Sequence, residues 1–208
     1  NNPKIADMLA SGPTWYPPLK AFDNLWYIGN SFVGAWVLDT GQGLILIDAM
    51  QSEAEVREHL EPGLRSLGFD ASMIRYVLVT HGHFDHVHDA AAVAMKTGAT
   101  VVGIFELCQW LSSKGVEKTS GMNKGGSQEL AGIRITMVDA KHSSSYTDDG
   151  VITYLGEAAG YVLKFENGLT VYFAGDTALF GDMRLIHDLY RPTVAFLPIN
   201  SNAAGMPT

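Results

Sequence analysis

The sequence predicts an α/β fold, with β-sheets covered by helices on their outer faces. Three observations carry this. Short apolar, β-branched segments cluster between Leu25 and Asp48. From there to the end, strand-like and helix-like segments alternate. The residues able to do chemistry fall at or just past the C-terminal ends of predicted strands, where α/β folds build their sites on loops held by a rigid sheet.

The stretch up to about Asp23 carries Pro13, Trp15, Tyr16, Pro17 and Pro18 and reads as an irregular lead-in. Leu25 to Ile28, Ser31 to Asp39 and Leu44 to Asp48 read as strands, the last two joined through Thr40-Gly41-Gln42-Gly43. A helix follows over Ser52 to Leu67. Ser52 is placed to cap it, Glu53 and Glu55 favour its first turn, Pro62 can kink it and Gly68 ends it. Ile74 to Val79 is a buried strand. Ala90 to Lys96 is a helix closed by Gly98, Thr100 to Gly103 a strand, and Phe105 to Ser112 a helix. Ser113 to Gln128 is polar and glycine-rich and reads as loop. Ile133 to Val138 is a strand, and Ser143 to Gly156 a long polar loop in which Asp148 and Asp149 form a solvated turn. Tyr161 to Phe165 and Leu169 to Ala174 form a hairpin across Glu166-Asn167-Gly168. A helix over Met183 to Tyr190 and a strand over Val194 to Ile199 follow.

The 208 residues, 47% of them apolar, suffice for one well-filled domain over 1–208. A net charge of -8 with no Lys/Arg cluster argues against a nucleic-acid polymer as partner. No apolar run approaches the roughly 18 residues of a membrane span. The single cysteine, Cys108, excludes an intrachain disulfide and, among Phe105, Leu107, Trp110 and Leu111, reads as a small buried hydrophobe. A small-molecule substrate is the expected partner, on the chemistry of the residues below, and oligomeric state is left open.

Four of the seven histidines lie in Thr80-His81-Gly82-His83-Phe84-Asp85-His86-Val87-His88, directly after the strand Ile74 to Val79. In extended backbone His81, His83 and Asp85 start out on one side. Such a loop offers two imidazoles to one metal and a carboxylate plus an imidazole to a second. His142 and Asp176 share the same strand-end placement. Imidazole and carboxylate suit Zn²⁺, with Mn²⁺ or Fe as alternatives, and no thiolate is on offer. His59 and His187, inside helices, read as ordinary polar residues, and His88 as either exposed or supporting the loop. Trp110, Tyr146 and Tyr154 are candidates for a pocket wall or for packing.

The run Thr-His-Gly-His-Phe-Asp-His resembles the HxHxDH signature of the metallo-β-lactamase superfamily. The resemblance implies an αββα sandwich, two sheets face to face with helices outside and a metal site at one edge. It implies that Asp48, ending Leu44-Ile45-Leu46-Ile47-Asp48, supports a ligand, that His142 is the third-motif ligand, and that Asp176 in Phe-Ala-Gly-Asp-Thr bridges two ions. Residues from about Trp15 to Val102 are similar to exported metallo-β-lactamases, which leans the expected location toward periplasm or secretion. From about Phe105 onward, Met122-Asn123-Lys124-Gly125-Gly126, His142-Ser143-Ser144-Ser145 and Gly175-Asp176-Thr177 look like an uncharacterised family of metal-dependent hydrolases related to lactonases. By the resemblance a last histidine follows Leu197-Pro198-Ile199, in a terminal strand and helix that the sequence as given does not reach; otherwise water completes the second metal.

The resemblance therefore implies a dinuclear zinc hydrolase. His81, His83 and His142 hold one ion, and Asp85, His86 and Asp176 the other. The ions lower the pKa of bound water toward about 7, and Asp85 acts as the catalytic carboxylate. Substrates that suit this chemistry are a lactam, a lactone, an ester or a small phosphodiester. Specificity is expected in Gly121 to Gln128 and Ser143 to Gly156. Redox relatives of the diiron type carry Glu where His83 stands, which favours hydrolysis. A metal-binding scaffold without turnover, or a small-nucleotide phosphodiesterase, is the alternative.

Overall fold

Two β-sheets pack face to face, and the residues that fill the space between them alternate along the strands. In this computed structural model, residues 12–198 are described. The first sheet has seven strands in chain order: β1 (Leu19–Phe22), β2 (Leu25–Gly29), β3 (Gly34–Asp39), β4 (Leu44–Ile47), β5 (Ile74–Leu78), β6 (Thr100–Ile104) and β7 (Thr119–Met122). It is antiparallel as far as β4 and parallel from β4 to β7. Strands β8 (Ser127–Leu130), β9 (Ile133–Asp139), β12 (Ala159–Lys164), β13 (Thr170–Phe173) and β14 (Val194–Phe196) make the second sheet, ordered β14-β13-β12-β9-β8. Strands β10 (Ser145–Asp148) and β11 (Val151–Tyr154) form a separate hairpin.

Helices lie on the two outer faces. Helix α1 runs through Glu53–Glu55, a π-helical Val56–Leu60 and Glu61–Ser66. Helices α2 (Phe84–Val87), α3 (Ala90–Thr97) and α4 (Phe105–Ser113) follow, and α5 (Met183–Tyr190) packs on the second sheet. The period-two pattern of a strand buried on both faces explains the layering. Ile135, Met137, Tyr161, Leu163, Val171 and Phe173 point into the core shared with the first sheet. Their neighbours Val138, Val162 and Tyr172 point outward and are covered by Ile186 of α5. The αββα arrangement thus follows from which side of each strand is apolar.

The fully buried Tyr161 crosses the interface. Its hydroxyl donates to the carbonyls of Val79 (2.7 Å) and Val102 (3.3 Å) on the opposite sheet. This bond fixes how the sheets sit relative to each other, because a buried hydroxyl without a partner is costly.

Several predicted elements differ from those observed. Leu19–Phe22, expected to be irregular, is an edge strand with every residue exposed, so no apolar alternation marks it. The expected loop 113–128 contains β7 and the first two residues of β8. The polar residues of β7 reflect its position at the sheet edge, where only β6 pairs with it. The expected polar loop 143–156 is the β10–β11 hairpin. Asp149 (φ +48°) and Gly150 (φ +78°) supply the two positive-φ residues of its turn. The third strand begins at Gly34 rather than Ser31, because the Asn30 side chain accepts from the backbone of Phe32 and Val33 and holds them in a turn. Helix α1 spans its predicted length, with Ser52 accepting from the Glu55 N–H and Gly68 at φ +85° beyond its end. The last predicted strand is described as Val194–Phe196, and Ile199 lies outside the described residues.

Tyr161→Phe keeps the ring and removes the bond between the sheets. The expected result is a loss of about 1–2 kcal/mol in urea unfolding with an unchanged slope; an unchanged midpoint would show that the hydroxyl carries nothing.

Candidate metal centre

Strand direction gathers the site. Strands β4 and β5 are parallel, with Ile47 opposite Leu78, so both end at one edge. Strands β9 and β13 both run antiparallel to β12, so they run the same way and also end together. The Ala159 N–H donates to the Thr80 carbonyl (2.9 Å) and joins the two edges. Asp48, Thr80 to His86, His142 and Asp176 therefore converge from four strand ends.

Asp48 sits at the centre of this edge. Its backbone lies at φ +60°, a left-handed conformation that Asp tolerates better than most residues. That turn sends its carboxylate back under the histidine loop. Oδ1 accepts from the Thr80 N–H (2.9 Å), and both oxygens lie 3.0 Å from the Thr80 hydroxyl. Oδ2 is 2.8 Å from His86 Nδ1. The Thr80 hydroxyl has one proton, which it gives to Asp48, so it accepts from His81 Nδ1–H at 3.2 Å. Asp48 thereby engages the Nδ1 side of both rings, directly or through Thr80, and leaves Nε2 of His81 and His86 to face the ligand groups. Gly175, at φ +62°, lets the Asp176 loop close on this knot; a Cβ there would lie 2.9 Å from Thr80 Cβ.

His83 stands on extended backbone, and the chain turns helical at Phe84. Asp85 and His86 are thus presented by α2 and not by a continued strand. His83 directs Nδ1 toward His81 Nε2, 2.9 Å away, while its Nε2 meets the Ser143 hydroxyl at 3.0 Å. His81, His83 and His142 place one ligand atom each within 4.8 Å of one another, and so do His81, His86 and Asp176. Asp85 Oδ2 is 3.4 Å from His86 Nε2, and Asp176 Oδ2 is 3.7 Å from both His86 Nε2 and His142 Nε2. Five of the six expected residues fall in these two groups, with His81 in the second where Asp85 was expected; Asp85 lies beside them through its approach to His86.

The electrostatics suit cations. Burial, then the neighbouring imidazoles, push His81 well below the usual histidine range; burial and His142 lower His83. Both are therefore neutral donors at neutral pH. His86 is the opposite case. Burial opposes its charge, but Asp48, Asp176 and Asp85 outweigh it and raise its pKa well above the usual value. Burial also opposes the charges of Asp85 and Asp176, and His86 outweighs it, holding both carboxyls low. The donor set fits a metal. Two imidazole nitrogens face each other at hydrogen-bond distance while an oxygen satisfies the far nitrogen of each ring, so a cation between them replaces a lone-pair repulsion.

Other expectations resolve differently. His88 is exposed and bonds Tyr146, outside both ligand groups. His187 is exposed, but His59 stacks flat on Trp15, with ring centroids 3.4 Å apart. Trp110 packs on Tyr146, and Tyr154 is exposed. None of these aromatic residues lines the cavity of about 410 Å³ beside Asp85, His86 and Asp176. Its aromatic walls are Tyr27, Phe32, Trp36, Phe173 and Phe196, and neither expected specificity loop contributes to it. Thr80 and Ser143, adjacent to His81 and His142 in the sequence, were not assigned roles from the sequence; their hydroxyls are the signal that identifies them. The sequence contains no histidine after His187, so the ligand expected beyond Ile199 has no counterpart among its residues.

The sequence profile of the Beta-lactamase superfamily domain matches residues 44–206. The chain belongs to the metallo-β-lactamase superfamily. Among curated relatives of this superfamily member, a "UPF0173 metal-dependent hydrolase" of Roseiflexus sp. is 46% identical over 169 residues, covering 80% of this chain and 67% of that protein. One of Koribacter versatilis is 52% identical over 126 residues, covering 61% and 54%. The chain thus spans between about half and two thirds of the length of such relatives. The subclass B3 metallo-β-lactamase BJP-1 of Bradyrhizobium japonicum aligns with a TM-score of 0.65 at 21% identity over 89% of this chain and 78% of that one, a likeness of fold. Igni18, a metallo hydrolase of Ignicoccus hospitalis, gives 0.62 at 31% identity over 85% and 70%. These likenesses establish the superfamily and its fold; "metal-dependent hydrolase" is the name of the curated relatives. No helix among the described residues is long and apolar enough to cross a membrane.

Asp48→Asn tests the support beneath the ligands. Metal affinity, read by chelator competition, is expected to fall about 10–100-fold although no ligand is changed. The metal-free protein holds a proton on His86 at neutral pH, and metal must displace it. Affinity should therefore rise with pH up to the raised His86 pKa and level off above it, and in Asp48→Asn, which loses the first of the charges that raise this pKa, it should level off at lower pH. Equal affinities and pH profiles in the two proteins would contradict the role given to Asp48.

Proposed function

We propose that this chain carries the metal-binding core of a dinuclear zinc hydrolase that opens a lactam, lactone, ester or similarly small substrate. The observation that supports it most is the pairing of two ligand groups through the shared, fully buried His81. His81, His83 and His142 would hold one ion, and His86, Asp85 and Asp176 the second. When bound, the ions supply Lewis acidity and make water a nucleophile near neutral pH.

The chain's own residues do the rest. Asp85 borders the cavity and is kept ionised by His86, so its carboxylate is the group placed to take a proton from water and return it to the leaving group. Thr80 and Asp48 hold the His81 and His86 rings so that Nε2 of each faces inward. Ser143 does the same for His83 through its far nitrogen. The aromatic walls exclude water and accept the apolar part of a substrate. Imidazole at position 83 supports hydrolysis over the redox chemistry of the diiron relatives.

Metal content after zinc reconstitution, with turnover of lactam, lactone and phosphodiester reporters, tests this reading. Two ions per chain and hydrolysis of one reporter class are expected. His83→Ala should lose metal and activity together, and Asp85→Asn should cost about 100-fold or more in kcat. A protein that takes up no zinc, with activity indifferent to His83→Ala, would overturn it.

A further inference from the structure

A second cavity of about 410 Å³ lies between α1 and α3 and shares no lining residue with the cavity beside the metal site. Its walls are apolar: Val56, Leu60, Leu64, Ile74 and Val93. One charged side chain is buried among them. Asp89 is 2% exposed, and its Oδ2 has no hydrogen-bond partner. It precedes the first turn of α3 but makes no capping bond. A carboxylate enclosed this way is costly to bury unpaired. Burial raises Asp89 to about 6, opposed by the nearby His88 and reinforced by Glu55 and Glu53, so it is mostly ionised at neutral pH, and among the described residues no Lys, Arg or His forms an ion pair with it.

The cations at the rim are already engaged. Arg57 pairs with Glu58 at 3.0 Å and Lys96 with Glu61. Glu53, outside these pairs, adds negative charge at the same mouth. The wall on the α1 side is the π-helical turn Val56–Leu60. Such turns are rare and recur at functional sites, because they give up regular bonding to widen a surface.

We infer that this cavity binds a small organic amine, its hydrocarbon or aromatic body against the α1 and α3 side chains and its ammonium on Asp89. The cavity's size suits a ligand of one ring, its apolar lining selects the body, and the unpaired Asp89 carboxylate selects the charge. The site is separate from the metal centre and independent of the reaction assigned there.

The test uses the zinc-loaded, isotope-labelled protein and benzylamine, with benzyl alcohol and benzoate as neutral and anionic counterparts, followed by two-dimensional NMR. Benzylamine should shift the methyl signals of Val56, Leu64 and Val93 with a dissociation constant of about 1 mM. Benzyl alcohol should bind at least tenfold more weakly and benzoate not at all. Asp89→Asn should weaken benzylamine at least tenfold. Ala92→Phe, at an exposed position on the cavity wall, should block it without touching the carboxylate, and decides the matter if Asp89→Asn does not fold. Equal binding of amine and alcohol, binding unchanged in the folded variants, or shifts confined to the His81–His86 loop would each overturn the inference. Zinc content is read on the same samples, so failure here is distinct from failure of the metal centre.

Discussion

The carboxylate of Asp48 is the constraint on which the site depends. It is mostly buried, on a backbone turned into the left-handed region, and it is shared by the Thr80 backbone, the Thr80 hydroxyl and His86. Left-handed backbone costs on the order of 1 kcal/mol, and three hydrogen bonds to a charged group offset that. The benefit is geometric. One anion decides which nitrogen of two imidazoles is presented, one of them directly and the other through a hydroxyl. It also explains the electrostatic split within the histidine loop, in which His81 is driven neutral by burial while His86 is held charged until a metal displaces its proton.

The fold makes this possible by ending four strands at one edge. Parallel pairing of β4 with β5 puts Asp48 beneath the histidine loop, and the antiparallel β9-β12-β13 set brings His142 and Asp176 to face it. Tyr161 and the Ala159–Thr80 bond hold the two edges in register. The aromatic cavity lies where β3, β13 and β14 approach one another, with Trp36 and Phe196 at a centroid distance of 4.5 Å.

Much of the site was legible because its residues are dense and lie at strand ends. The HxHxDH run, His142 and Asp176 could be read as a set before any geometry was known. Asp48 was placed only by resemblance, and Thr80 and Ser143 not at all, since a lone hydroxyl beside a ligand has no pattern of its own. In the fold, strands with strong apolar runs such as Leu44–Ile47 were evident. Leu19–Phe22, Thr119–Met122 and the β10–β11 hairpin were not, because edge strands and hairpins that face solvent need no apolar alternation. The pocket aromatics were missed for a different reason. Tyr27, Trp36 and Phe173 read as ordinary strand residues, and only the packing of two sheets turns them toward one cavity.

The central claim is that Asp48, with Thr80, fixes the tautomers of the ligand histidines. Long-range ¹H–¹⁵N NMR of the zinc-loaded protein reads these directly. The account predicts Nδ1–H on His81 and His86, and Nε2–H on His83 against Ser143. An Nε2–H form of His81 or His86, or an averaged pair of tautomers at either, would contradict it.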